Sequence, residues 1–230
     1  MYSPAHDCSV KVNALNDLQT CRQCPRLATF LQTVKNHHPD YHAQPVEAFG
    51  DRMAKLLIVG LAPGMHGANR TGRPFTGDYA GILLYQTLHK FGLATHAESV
   101  SVQDDLQLLG CRITNAVKCL PPDNKPVLQE IKQCNKFLEV ELNEFIQSGG
   151  MAILALGTVA HQAVLMALQR KPGLHRFAHG AMHELSADSG LKLYDSYHCS
   201  RYNTQTKRLT TEMFEQVFTH IVNDLWNSSS

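Results

Sequence analysis

A loop rich in glycine offers the first place in this chain where chemistry can be expected. It follows the apolar run Leu56 to Val59, and the first acidic residue after that run is Asp78. Glycine permits positive φ and close approach of the backbone, so main-chain N–H groups can face a flat or anionic ligand. The glycines of the loop are Gly60, Gly64, Gly67, Gly72 and Gly77.

Asp78 supplies the carboxylate of this loop. A fixed carboxylate can hold a water molecule or stabilise positive charge that develops during a reaction. Asp78 also stands directly before a helical pattern, where aspartate is a common N-cap. The two interpretations are compatible, because a helix amino terminus favours the ionised carboxylate.

Four cysteines have the spacing of a metal site. Cys21 and Cys24 form a Cys-x2-Cys pair, and Cys119 and Cys134 flank the start of a predicted helix. Four thiolates can hold either an iron–sulfur cluster or a zinc ion. Cys134 also fits an apolar helical position, where cysteine can be an ordinary core residue.

The composition predicts one soluble domain over residues 1–230. The chain is 43% hydrophobic, carries a formal charge of +1 and has no apolar run near the roughly 18–20 residues of a membrane span. Its amino terminus lacks a signal pattern, and seven cysteines, an odd number, favour a reducing compartment. We expect a cytoplasmic monomer without membrane contact. Three segments with Arg or Lys and no acid, 56–77, 111–122 and 196–211, predict a basic face.

The hydrophobic pattern alternates between strands and helices. Apolar runs predict strands at 56–59, 111–117, 151–156 and 191–197, and helical periodicity covers 79–91, 127–146, 158–168 and 211–226. Residues 1–55 are expected to form a mainly helical layer, and residues 228–230 a frayed tail. This order predicts an α/β fold with a parallel sheet and helices on both faces.

The loops after three of these strands should meet in one cleft, because the carboxyl ends of parallel strands share an edge of the sheet. An aromatic ring, a carboxylate, an amide, an imidazole and two cations would then lie together. Such a set suits a planar polar ring attached to a phosphate backbone. The residues are Phe75, Asp78, Asn115, Lys118, His198 and Arg201.

Four motifs follow one another in the chain. They are Gly-Leu-Ala-Pro-Gly at 60–64, Asn-Arg-Thr-Gly-Arg-Pro-Phe-Thr-Gly-Asp at 69–78, Thr-Asn-Ala-Val-Lys-Cys at 114–119 and Tyr-His-Cys-Ser-Arg-Tyr-Asn-Thr-Gln-Thr at 197–206. Together they resemble the iron–sulfur uracil-DNA glycosylases, most closely the family 5, or type B, branch. Leu61 differs from the acid that the family 4 branch carries at this position.

This resemblance implies a three-layer α/β/α sandwich around a four-stranded parallel sheet. It implies one 4Fe–4S cluster on Cys21, Cys24, Cys119 and Cys134, with zinc as the alternative, and no nucleotide cofactor. It also implies that the partner is DNA, from which uracil and other deaminated or damaged bases are excised.

The resemblance gives the cleft residues roles. Asp78 would hold the attacking water, His198 would stabilise charge on uracil O2, and Asn115 would bind the base edge. Phe75 would stack on the flipped base, although it equally fits a core position, and Asn115 equally fits a turn. A backbone floor for the base would come from Gly60, Leu61, Ala62, Pro63 and Gly64.

DNA contacts are expected from the basic loops. Those proposed to enter DNA or contact phosphate are Lys118, Arg201, Tyr202, Asn203, Lys207 and Arg208. A solvated basic loop is the alternative interpretation of each. The chain departs from the family pattern at Cys199, where Pro is usual in a His-Pro-Ser motif, which removes a restraint on φ.

Rival classes of enzyme lack their motifs. No G-x-x-x-x-G-K-[ST] phosphate loop occurs, and no His-x-Glu precedes a Pro-Cys-x-x-Cys motif of zinc deaminases. An iron–sulfur DNA-binding protein with weakened catalysis is the remaining alternative. The expected chemistry is monofunctional hydrolysis, with Lys118 as the one amine that leaves a lyase step open.

Overall fold

A six-stranded sheet forms the centre of the protein in the computed structural model, which describes residues 17–186 and 190–227. Its strands are β1 Phe49–Gly50, β2 Leu56–Gly60, β3 Cys111–Asn115, β4 Ala152–Leu156, β5 Met182–Ser186 and β6 Leu191–Ser196. Their order in the sheet is β1-β3-β2-β4-β6-β5. The inner four strands are all parallel, which confirms the predicted parallel sheet.

The two outer strands were not predicted. Strands β1 and β5 pair antiparallel with their neighbours, so the sheet has six strands rather than four. Strand β1 has only two residues, and β5 has just one fully buried side chain, Leu185. Neither segment therefore carries the apolar run by which a buried strand is recognised.

Helices connect the parallel strands near the predicted positions. They are α1 Pro25–His37, α2 Ala68–Thr71, α3 Tyr79–Lys90, α4 Leu128–Gln147, α5 Thr158–Ala167, α6 Arg201–Gln205 and α7 Thr211–Val222. Short 3-10 turns span Pro122–Asn124 and Pro172–Leu174, and a π-turn, Asn223–Asn227, continues α7. Residues 17–55 contribute one helix, α1, and strand β1, while the predicted tail at 228–230 and residues 1–16 lie outside the described residues.

Side chains alternate between two apolar layers on either side of the sheet. Leu56 and Ile58 of β2 pack with α3 and α7, whereas Leu57 and Val59 pack with α4 and α5. All four side chains are fully or almost fully buried, as expected for a parallel strand covered on both faces. The three-layer α/β/α arrangement is thus confirmed. No helix in the described part of the chain has the length and apolar character that crossing a membrane requires.

A buried ion pair joins β3 to α4. The ammonium group of Lys118 is fully buried, lies 2.6 Å from the Glu141 carboxylate and donates to Thr114 Oγ1 at 2.5 Å. Lys118 was expected to contact a DNA phosphate, and that expectation is wrong, because the side chain points into the protein. Its amine is equally withheld from a Schiff-base reaction.

Replacing Glu141 tests how far the protein depends on this pair. We expect Glu141→Gln to lower the free energy of unfolding by about 3–5 kcal/mol, because the ammonium group would stay buried without a counter-charge. Urea denaturation followed by circular dichroism measures the change. Glu144→Gln, at an exposed position of the same helix, is the control. Equal stabilities of the two variants would contradict the prediction.

Candidate active site

A cavity of about 920 Å³ opens at the carboxyl edge of the parallel strands. The loops after β2, β3, β4 and β6 all contribute to it, as the predicted convergence requires. Among its lining residues are Leu61, Ala62, Gly64, Gly67, Phe75, Asp78, Asn115, Thr158, Val159, His198 and Arg201. Of the six side chains expected in the cleft, Lys118 is missing, and of the expected floor Gly60 and Pro63 are not among the lining residues.

Gly60 holds the base of the cavity open. It lies directly beside Asn115 in the β2–β3 register. A Cβ atom on Gly60 would lie 2.5 Å from Asn115 Oδ1 and 2.7 Å from the Phe75 ring, so only glycine allows both side chains to approach. Asn115 is 3% exposed, and its Oδ1 has no hydrogen-bond partner within the described part of the chain. An unsatisfied buried acceptor is costly and points to a missing donor.

Phe75 is held in an unusual conformation. Its φ is +54°, which non-glycine residues seldom adopt. The backbone is fixed by Tyr85, whose hydroxyl donates to the Pro74 carbonyl at 2.9 Å, and by Gly81, where a Cβ would lie 1.9 Å from the Phe75 carbonyl oxygen. The Phe75 ring lies 5.9 Å from the His198 ring, at an interplanar angle of 27°. The strain therefore fixes an aromatic surface next to the imidazole.

Asp78 lies both at the start of helix α3 and in the wall of the cavity. As the N-cap of α3, its Oδ1 accepts a hydrogen bond from the Gly81 N–H at 2.9 Å. Its carboxylate also borders the cavity, facing Gly64 and Gly67. Burial raises the pKa of Asp78, and the N–H groups of Gly81 and Ala80 offset part of that rise. The carboxylate is thus fixed but poorly solvated.

His198 follows β6 and faces the same cavity. Its desolvated surroundings lower the pKa of His198 to about 4, so the imidazole is neutral at physiological pH. Asn203 donates from Nδ2 to the His198 carbonyl at 2.8 Å, and Ser200 caps α6 directly after it. Asn203 was expected to contact DNA, but its amide instead holds the loop that carries His198.

The remaining basic residues lie on the surface around the cavity. Arg201 borders the cavity with its guanidinium 5.5 Å from the Tyr79 ring, and Tyr202 is 70% exposed. Lys207 is exposed, and the exposed Arg208 lies over the Tyr197 ring at 4.7 Å. The exposed cations on α6 and the turn after it are thus Arg201, Lys207 and Arg208, whereas Lys118 and Arg73, which pairs with Asp104, are buried.

The four cysteines of the expected metal site come together beside the sheet. Cys21, Cys24, Cys119 and Cys134 pack around Leu27 and Phe137 and line one small cavity. Cys24 is the N-cap of α1, where burial raises the pKa of its thiol, and Cys134 Sγ accepts from the Lys118 backbone N–H at 3.3 Å. Burial raises the pKa of Cys119 to about 12 and that of Cys134 to about 11.

The distances between possible ligand atoms show where a single metal ion could be bound. Zn–S bonds of about 2.3 Å place tetrahedral sulfurs roughly 3.8 Å apart. Among the described residues, only His161, His183 and Asp195 place three possible ligand atoms within 4.8 Å of one another. No such group includes three of the four cysteines, whose thiols could hold either an iron–sulfur cluster or a zinc ion.

Some lining residues were not found from the sequence. Thr158 and Val159, at the start of α5, form part of the cavity wall, whereas the Gly157-Thr158 pair was interpreted only as a helix start. Asn69 is fully buried, and its Oδ1 has no partner within the described residues. Its place in a matched motif was the one available signal.

The fold and the cavity define an α/β protein with a polar ligand site at the carboxyl edge of a parallel sheet. Its aromatic surface, fixed carboxylate, neutral imidazole and unpaired amide oxygen suit a flat heterocycle. The family model described as the uracil DNA glycosylase superfamily matches residues 47–225. The chain belongs to the uracil DNA glycosylase superfamily.

Individual relatives agree with this assignment. A type-5 uracil-DNA glycosylase of Thermus thermophilus is 45% identical over 205 residues, which cover 87% of this chain and 91% of the relative. A type-5 enzyme of Mycobacterium leprae is 41% identical, covering 87% and 90%. A type-4 enzyme of Archaeoglobus fulgidus is 30% identical and covers 65% and 61%. The resemblance to the family 5 branch is thus confirmed.

Gly67 provides a test of the packing around Asp78. A Cβ on Gly67 would lie 2.3 Å from Asp78 Oδ2, so Gly67→Ala must displace the carboxylate. We expect a loss of about 1–3 kcal/mol in the free energy of unfolding, measured in urea. Gly173→Ala is the matched control, because a Cβ there meets nothing within 4 Å. A Gly67 variant as stable as this control would show that the carboxylate is not confined.

Proposed function

We propose that this protein hydrolyses the N-glycosidic bond between uracil and deoxyribose in DNA and leaves an abasic site in an intact strand. The single observation that carries the proposal is the buried, unpartnered Oδ1 of Asn115 in a cavity that also presents Asp78 and His198. This acceptor needs an N–H donor from a ligand, and the base must leave the helix to reach it.

Base recognition follows from the amide of Asn115. Uracil presents an N–H group beside a carbonyl oxygen, which matches the acceptor and donor of an asparagine side chain. The Phe75 ring supplies the stacking surface, and because it lies 5.9 Å from the His198 ring, a base stacked on it would lie beside the imidazole. Other deaminated bases carry the same N–H and carbonyl pair, so we include them among the substrates.

Asp78 acts on the sugar side of the bond. Departure of the base leaves positive charge on the deoxyribose, which a fixed carboxylate stabilises while accepting a hydrogen bond from the attacking water. The hydrogen bond from Gly81 prevents the carboxylate from turning away. The poor solvation of Asp78 strengthens its interaction with that charge.

His198 acts on the departing base. The uracil leaves with negative charge, and a neutral imidazole can donate one hydrogen bond to its O2. Because the pKa of His198 is about 4, no protonation of the ring is needed at physiological pH. The Asn203 contact to the His198 carbonyl positions the ring for this bond.

The DNA strand would lie across the surface of α6 and the turn that follows it. Arg201, Lys207 and Arg208 offer positive charge for phosphates, and exposed Tyr202 offers a ring that can fill the gap left by the flipped nucleotide. These contacts are independent of base identity.

The four cysteines would hold a 4Fe–4S cluster, whose iron–thiolate bonds would link the segment before α1 to the loop after β3 and to α4. The support is that all four cysteines line one small cavity. Lys118 and its partner Glu141 lie between this group and Asn115, so the bonds would also fix the base-binding strand.

Purified protein should create an alkali-labile site at uracil in a duplex oligonucleotide, resolved on a denaturing gel. Asp78→Asn should lose most of this activity and still bind the duplex, because it keeps a capping residue of similar shape. Binding without cleavage by the unmodified protein would favour the alternative, a DNA-binding protein with weakened catalysis. Full activity of Asp78→Asn would show that a residue other than Asp78 holds the attacking water.

The same variant should be more stable. The pKa of Asp78 is raised in the folded state, so the ionised carboxylate destabilises the fold at neutral pH, and this cost fades as pH falls. Asp78→Asn removes the charge, and its Tm at pH 7 should rise while activity is lost. Loss of activity together with a lower Tm would indicate misfolding instead.

Protein purified without oxygen should be brown and contain about four iron atoms per chain. Cys119→Ala should lose the visible absorbance and most of the iron, because one thiolate is missing. Cys111→Ala, at a buried cysteine on β3 outside this set, should keep both. A colourless protein that contains bound zinc would show that the four cysteines hold zinc and not an iron–sulfur cluster.

A further inference from the structure

Three possible metal ligands meet at the edge of the sheet opposite β1. His161 lies on α5, His183 on the edge strand β5, and Asp195 on β6, the neighbour of β5. One ligand atom from each lies within 4.8 Å of the others. His161 and Asp195 are almost or fully buried, and none of the three takes part in the reaction proposed above.

Hydrogen bonds already direct these side chains at one another. Asp195 Oδ1 lies 2.7 Å from His161 Nδ1, and Asp195 Oδ2 lies 3.0 Å from His183 Nε2. The second nitrogen of His161, Nε2, lies 2.9 Å from the His175 carbonyl oxygen. Carboxylate and carbonyl oxygens only accept, so His161 donates from both nitrogens and carries a positive charge.

A proton therefore occupies the position in which a cation would be bound. We propose that His161, His183 and Asp195 form a second metal site, for a divalent ion of the zinc class. In binding, His161 loses its Nδ1 proton to solvent and His183 gives up the proton that its Nε2 shares with Asp195, to its own Nδ1 or to solvent, so the freed lone pairs and the carboxylate coordinate the ion.

The surroundings have the features of a metal site. Zinc prefers imidazole nitrogen and carboxylate oxygen at about 2.0–2.2 Å, which places tetrahedral ligand atoms roughly 3.4 Å apart, so the present contacts of 2.7 and 3.0 Å need to open by well under 1 Å. The His161 Nε2–H bond to the His175 carbonyl is the outer contact that usually orients a ligating histidine. His183 is 12% exposed, which gives the ion a route from solvent.

A further imidazole lies next to the three ligands. The His175 ring is centred 5.6 Å from that of His183, perpendicular to it and partly exposed. It is the nearest candidate for a fourth ligand, with water as the alternative in that position. A site with three or four nitrogen and oxygen donors is chemically distinct from the thiolate site of the four cysteines.

The ion would join three elements near the cavity. Helix α5 begins at Thr158 in the cavity wall, and β6 leads directly to His198. Strand β5 pairs antiparallel with β6, and the register of this pairing is irregular between Glu184 and Ser186. A metal bound at this point would therefore stabilise the sheet edge beside the site, without contacting the DNA base.

Cobalt(II) is the probe, because nitrogen and oxygen ligands give weak visible bands without the intense sulfur-to-metal absorption that thiolates give. We expect protein with its cysteine site filled to bind about one further equivalent of cobalt(II) with such weak bands, and zinc to displace it. We expect zinc to raise the Tm of the same preparation.

His183→Gln tests the ligand set at its most exposed member. It should bind cobalt(II) at least tenfold more weakly and lose the zinc-dependent rise in Tm, while its Tm without metal stays close to that of the unmodified protein. His89→Gln, at an exposed position on α3, is the matched control and should retain both. Absence of the additional cobalt bands in the unmodified protein, or their full retention in His183→Gln, would overturn the proposal.

Discussion

The ion pair between Lys118 and Glu141 is the interaction on which most of the site depends. Burying two opposite charges is costly unless each is paired and hydrogen-bonded, and here Thr114 completes the network. Thr114 precedes Asn115, while Lys118 precedes Cys119 and donates its backbone N–H to Cys134. The position of the base-binding amide and that of the thiols are thus set by the same buried contact between β3 and α4.

Around that fixed strand, the protein tolerates local costs where chemistry is needed. Phe75 has a positive φ, the Asn115 acceptor is unpaired and the Asp78 carboxylate is poorly solvated. Each is unfavourable for folding and favourable for binding a base or stabilising charge on a sugar. The two apolar layers that cover the sheet stabilise the fold and offset these three local costs.

The sequence predicted those features that arise from periodicity and from motifs. Buried runs located the four parallel strands, and their shared edge led to the cavity containing Asp78, Asn115 and His198. It could not predict the direction of a long side chain: Lys118 follows a strand end as a surface cation would, yet it turns inward to Glu141 on α4. Edge strand β5, with one buried side chain, likewise has no apolar signal of its own.

The departure at Cys199 shows how the loop that carries His198 keeps its shape without proline. Cys199 is fully buried in the core beside α7, so its side chain anchors the loop through packing rather than through a fixed φ. Asn203 donates to the His198 carbonyl, and Ser200 caps α6. Because three separate contacts restrain the backbone directly after His198, the imidazole is positioned by tertiary structure without a proline at position 199.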